Sequence, residues 1–131
     1  MLSEYGLTTS HQGFHNITAM VKEAVQESGI MDGTCTVFCP HTTAAITINE
    51  NADPDVVHDM LIALEKAFPD RGEFRHAEGN SAAHIKASCI GASVTVIVNK
   101  GKLLLGTWQG IYFCEFDGPR SRHFFVKTQK D

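Results

Sequence analysis

Apolar residues recur along this chain with two different periods. Ile17, Met20, Val21, Ala24 and Val25 follow the i, i+3, i+4, i+7, i+8 spacing that lines one face of a helix. Asn16 stands where an N-cap is needed, and Gly29 where a left-handed residue ends a helix. Val56, Val57, Met60, Leu61 and Leu64 form a second helical stripe. Its punctuation is stronger, with Asp53 as N-cap, Pro54 at the first helical position, Asp55 favouring the helix dipole and Pro69 as the stop. His58 and Asp59 fall on its solvated face. A shorter helix, Ala82–Ile90, is expected to start from Ser81 as cap and to close at Gly91.

The remaining apolar segments are short and rich in β-branched and aromatic residues, the signature of strands. Residues 2–9 read as an edge strand. Thr34–Cys39 ends at Pro40, and Ala44–Asn49 follows the loop Pro40-His41-Thr42-Thr43. After a polar loop over residues 70–80 and the short helix come Ser93–Val98, Lys102–Leu105, Ile111–Phe116 and His123–Lys127. Asn99-Lys100-Gly101 and Asp117-Gly118-Pro119 separate them as turns. The order predicts one α+β domain over residues 1–131. It has about six or seven strands in an antiparallel or mixed sheet, with about three helices packed on one face. The βαβ alternation of a doubly wound fold is absent, as are G-x-G-x-x-G and the P-loop.

Composition narrows the class. A chain of 131 residues is one domain and is too short for a TIM barrel. Lys+Arg number 11 against 15 Asp+Glu, a net charge of −4, which argues against nucleic-acid binding. No apolar run approaches the ~18 residues of a membrane span. The first residues carry no basic-then-apolar leader pattern, so the expected location is cytoplasmic. Cys35, Cys39, Cys89 and Cys114 form no C-x-x-C pair and read as reduced, mostly buried thiols. The seven histidines are the anomaly, because protonating all of them would reverse the sign of the net charge.

Three of those histidines fall in polar surroundings. His41 follows a strand, His76 lies in the loop Arg75-His76-Ala77-Glu78-Gly79-Asn80, and His84 sits in the first turn of the short helix. With Glu50 and Glu78 nearby in sequence, they form a set of residues able to hold a divalent metal with one position open, although the spacing by itself better suits unrelated loop or surface histidines. His11, His15, His58 and His123 read as surface, turn or helix-face residues. The start of the short helix is a natural anion site, with Asn80, Ser81, His84 and Lys86 as surrounding donors; simple capping by Ser81 accounts for the same residues. Trp108, between Gly106 and Gly110, is either a core or interface anchor or a pocket wall. Arg120-Ser121-Arg122-His123 is a local basic cluster that suits a phosphate or carboxylate, or else a solvated turn.

Three long motifs carry a resemblance. His41-Thr42-Thr43-Ala44-Ala45-Ile46-Thr47-Ile48-Asn49-Glu50-Asn51-Ala52-Asp53-Pro54-Asp55, Glu78-Gly79-Asn80 leading into His84-Ile85-Lys86, and Gly106-Thr107-Trp108-Gln109-Gly110 continuing to Glu115-Phe116-Asp117-Gly118-Pro119-Arg120 closely resemble the signature of the YjbQ-like family. The resemblance spans essentially the whole chain. It implies a homotrimer and possible secondary thiamine-phosphate synthase activity, which joins hydroxymethylpyrimidine diphosphate to thiazole phosphate. It implies a divalent metal, zinc or magnesium, on His41, His76 and His84. In that picture His84, Glu50, Glu78 and Asn80 are catalytic. Ser81, Lys86, Thr42, Thr43, Trp108, Gln109 and Arg120 then face a small phosphorylated metabolite. The segment Asn80-Ser81-Ala82-Ala83 lacks the aspartate often carried before the last histidine, so Glu78 or Glu50 would take that carboxylate's part. The alternatives are a homotrimer that binds a metal or an anionic metabolite without a dedicated enzymatic role, and a metal-assisted hydrolase of a phosphorylated metabolite.

Overall fold

The computed structural model describes residues 1–131. In chain order it consists of β1 (Leu2–Thr8), β2 (Gly13–Asn16), α1 (Thr18–Ser28), β3 (Gly33–Phe38), β4 (Ala44–Glu50), α2 (Pro54–Ala67), α3 (Ser81–Ile90), β5 (Ser93–Asn99), β6 (Lys102–Leu103), β7 (Gln109–Glu115) and β8 (Ser121–Lys130). The strands form two sheets, β1-β8-β3-β5-β6 and β2-β7-β4. Every pairing is antiparallel. No helix is long and apolar enough to cross a membrane.

Strand periodicity explains the division into two sheets. In the larger sheet alternate residues turn inward: Cys35 and Val37 of β3, Val96 and Val98 of β5, Phe124 and Val126 of β8. Strand β7 is buried at every position from Gly110 to Glu115. Ile111 and Phe113 join the larger sheet and Val21, Ala24 and Val25 of α1 in the main core. Tyr112 and Cys114 face the other way, against Ala83 and Ala87 of α3, with Val57 and Leu64 of α2 at the margin. A strand apolar on both faces needs cover on both. The helices are therefore divided between the two faces of the small sheet rather than gathered on one, and the strands number eight.

Local signals worked unevenly. Asp53 caps α2 through a bond from the Asp55 N–H, with Pro54 behind it, and Gly29 ends α1 at φ 71°. Asn16 accepts from the Thr18 N–H one residue ahead of the expected position, since Ile17 occupies the N-cap. In α3 the N-cap is Asn80 instead of Ser81, and no side chain caps the helix. Three of the cysteines are buried and Cys89 is exposed; all four are free. Burial pushes the Cys35 thiol up to about 11 and Cys114 higher still, which disarms both as nucleophiles.

Candidate functional site

The polar residues gather around the turn between β7 and β8. Glu115 closes β7 with its carboxylate fully buried. Arg122, two residues into β8, donates from Nε to Glu115 Oε1 at 2.8 Å and from Nη2 to the other oxygen. The same Nη2 reaches Thr43 Oγ1 at 2.8 Å, and the Thr9 hydroxyl donates to Glu115. Burial alone would raise the Glu115 carboxyl, but the bonds from Arg122, Thr9 and the Asp117 N–H outweigh it and hold the group below the usual range. This is a fully partnered buried ion pair.

The network continues outward. Thr9 Oγ1 accepts from the Arg120 N–H at 3.1 Å. Arg120 donates from Nε to the Asp117 carbonyl at 2.8 Å and from Nη2 to Asp117 Oδ2 at 2.9 Å. Asn80 Nδ2 donates to that same carboxylate oxygen at 2.7 Å. Burial raises Asp117, yet Asn80 and Arg120 bring it net below its ordinary value. Asp117 therefore ties the start of α3 to the β7–β8 turn. The turn itself depends on Gly118, because a Cβ there would stand 1.8 Å from the Ser10 carbonyl oxygen.

At α3 the expected residues partly converge. The His76 and His84 rings lie 5.4 Å apart, edge to face. Glu78 Oε1 is 3.9 Å from His76 Nε2. Asn80 Oδ1 is buried and has no hydrogen-bond partner. A cleft of about 250 Å³ lined by Asp70, Arg71, Phe74, His76, Gly79 and Ser81 opens beside this helix start.

His41 is elsewhere. It stacks on His123 at 5.1 Å, and its Nε2 accepts from the His123 backbone N–H at 3.0 Å. Burial, then the nearby Arg122 guanidinium, lowers its pKa. No three His, Cys, Asp or Glu side chains of one chain come together as a metal cage. Lys86 is buried, with its ammonium 2.6 Å from Glu65 Oε2 on α2 and 3.2 Å from Gln12 Oε1. It clamps α3 to α2. Gln109 folds back so that its Oε1 accepts from the Gly106 N–H, and exposed Trp108 offers its carbonyl to Asn51. Glu50 accepts from Tyr112 through its carbonyl and from the Asp53 N–H through Oε2. Thr42 is exposed, whereas Thr43 is buried beneath Arg122.

Sequence reading missed Glu115, Asp117 and Thr9 as a unit. Their only local signal was the motif Glu115-Phe116-Asp117-Gly118-Pro119-Arg120, which places two acids and an arginine around a turn too tight for a side chain.

Comparison with known proteins agrees over the full length. A family model described as "UPF0047 protein YjbQ-like" matches residues 3–131. The chain is 56% identical over 121 residues to UPF0047 protein YugU of Bacillus subtilis, covering 92% of each. It is 52% identical over 132 residues to a UPF0047 protein of Methanocaldococcus jannaschii, covering 100% of this chain and 96% of that one. A crystal structure of an uncharacterized YjbQ/UPF0047 protein from Clostridium acetobutylicum superposes with a TM-score of 0.95 at 62% identity, covering 97% and 99% of the two chains. A YbjQ-like protein of unknown function from Sulfolobus solfataricus gives the same score, 0.95, at 32% identity, covering 100% and 97%.

Proposed function

The chain belongs to the UPF0047 YjbQ-like family, and from that premise we propose that it binds a phosphorylated small molecule at the start of α3. The observation that carries this reading is the Asn80 side chain. Its Nδ2 is fixed on Asp117, its Oδ1 is buried and unpartnered, and it leaves the N-terminus of α3 without a side-chain cap. A helix start presents free N–H groups and the positive end of the dipole to an anion. His84 and Ser81 stand on that first turn, and Arg120 is held toward it through Asp117. An orphan acceptor there suits a ligand that also carries a donor, such as an aminopyrimidine.

The candidate reaction is thiamine-phosphate synthesis, in which a diphosphate leaves a pyrimidine methyl carbon and a thiazole nitrogen takes its place. The developing charge on the leaving group needs donors already in position. The Ser81 and Ala82 N–H groups at the start of α3, with the side chains of Ser81, His84 and Arg120, supply them, and Glu78 beside His76 can hold or move a proton. Zinc or magnesium would need donors from a second chain, because His41 lies on His123 and no three metal-ligating side chains of one chain come together. We further propose a homotrimer, supported by Leu2, Phe38 and Ile97 exposed on the outer face of the larger sheet. Sedimentation velocity should give one species of about three times the monomer mass, and a purely monomeric profile would refute the trimer.

The functional test is a titration with hydroxymethylpyrimidine diphosphate, followed by product analysis with thiazole phosphate. His84→Ala and Asn80→Ala should each weaken binding roughly tenfold. Wild-type affinity in both variants would overturn the site. Product formed far below ~1 s⁻¹ with binding intact would mark a binder instead of a synthase.

A further inference from the structure

We propose that the cleft between α1 and the β5–β6 hairpin is a second anion site, taking a small molecule that carries two or more phosphate groups. It is remote in the fold from the α3 site and does not depend on that reading. The cleft has a volume of about 570 Å³, within the range of small-molecule sites. Lys22 and Gln26 come from α1, while Lys100 and Lys102 flank Gly101 on the hairpin. Three lysines thus line one concavity in a chain whose net charge is −4. None of the three forms an ion pair with a carboxylate.

The distribution of charge around α1 is directional. Glu23 and Glu27 lie on the side of the helix near Tyr5, whose phenol is raised by burial and then by these two carboxylates. Tyr5 belongs to β1, one edge of the larger sheet, and the hairpin ends in β6, the opposite edge. The acids of α1 thus face one edge and Lys22 with Gln26 the other. Two acids stand by the hairpin: Asp32, whose Oδ1 accepts from the Asn99 Nδ2 and the Lys100 backbone N–H at 3.2 and 3.3 Å, and Asp131, whose backbone N–H reaches the Asp32 carbonyl; neither forms an ion pair with Lys22, Lys100 or Lys102.

Lys100 supplies an independent observation. It is the only non-glycine residue with positive φ, 52°, and Gly101 follows at 77°. A two-residue hairpin loop with both φ values positive is the type I′ turn, which favours Asn-Gly. Lysine at the first position costs conformational energy that asparagine would avoid. The strained residue is also one of the three lysines that line the cleft, as expected where local stability has been exchanged for a binding group. The hairpin is held by the Gly101 N–H on the Met31 carbonyl at 2.8 Å, so the charges sit on a fixed frame.

Two readouts test this: calorimetric titration of the full chain with inorganic tripolyphosphate at low ionic strength, and thermal melting. Lys22→Ala, Lys102→Ala and Lys100→Asn should each weaken the cleft's binding roughly fivefold. Lys100→Asn should melt at the same or a higher temperature, which a structural lysine would not allow. The titration is repeated in a His84→Ala background, where the cleft should bind as before. Wild-type affinity in all three lysine variants overturns the proposal. So does binding abolished by His84→Ala alone, which would leave the ligand to the α3 site. Stronger binding of a single-stranded oligonucleotide than of tripolyphosphate also overturns it.

Discussion

Replacing Arg122 with methionine should be among the most damaging single changes in the molecule. Its side chain is 5% exposed, and the Glu115 side chain it faces is fully buried. Methionine fills much of the stem's volume but leaves a buried carboxylate held only by Thr9 and the Asp117 N–H. Removing one partner of a buried ion pair costs about 3–5 kcal/mol, because the remaining charge is desolvated without compensation. For a chain of this length that corresponds to a fall in Tm of roughly 10–20 °C. Differential scanning calorimetry at neutral pH measures it directly.

The sign of the pH dependence is the sharper test. In the intact protein Glu115 titrates below its ordinary value of 4.5, so its stabilisation is present above that pH and lost as acid carries the medium through the folded-state value. In Arg122→Met the main opposing influence is gone and burial pushes the carboxyl upward. Its proton then relieves the variant as pH falls, so the gap to wild type should narrow between pH 7 and pH 4. Adding Glu115→Gln to Arg122→Met should restore part of the lost stability. A Tm loss under about 3 °C, a gap independent of pH, or a double variant no better than the single one would refute this account.

Two further outcomes follow from the same geometry. Glu65→Leu should destabilise more than Lys86→Met, by about 3 against about 1–2 kcal/mol, since the first leaves a buried ammonium with only Gln12 and the second frees a carboxylate that is already 58% exposed; chemical denaturation showing the reverse order would refute this account of the clamp. Gly118→Ala should cost about 3 kcal/mol or more, because its Cβ meets the backbone of Ser10 and the Cγ of Glu115, which its ion pair with Arg122 holds in place. Displacing the turn also moves Asp117 and Arg120, so phosphate binding at α3 should fall with it, measurable by melting and titration on the same sample.

Much of the local architecture is written in short stretches of sequence. Asp53-Pro54 starts α2, Gly29 ends α1, and Lys100-Gly101 turns β5 into β6, because capping and φ preferences act over a few residues. The unbroken apolar run of β7 indicated a strand but not that its two faces serve separate cores. The histidine pattern groups His41, His76 and His84; the fold brings the rings of the last two to 5.4 Å but stacks His41 on His123, 82 residues away, a pairing that no local signal marks. Lys86 read as a donor at a helix start, and only the packing of α2 decided that its ammonium would be buried against Glu65. The Glu115–Arg122–Thr9–Thr43 network joins four separate segments, and none of its members carries a local mark of burial. Sequence determined the elements because their energetics are local. The site had to wait for the tertiary structure, because burial and hydrogen-bond partnership depend on which distant strands the sheets bring together.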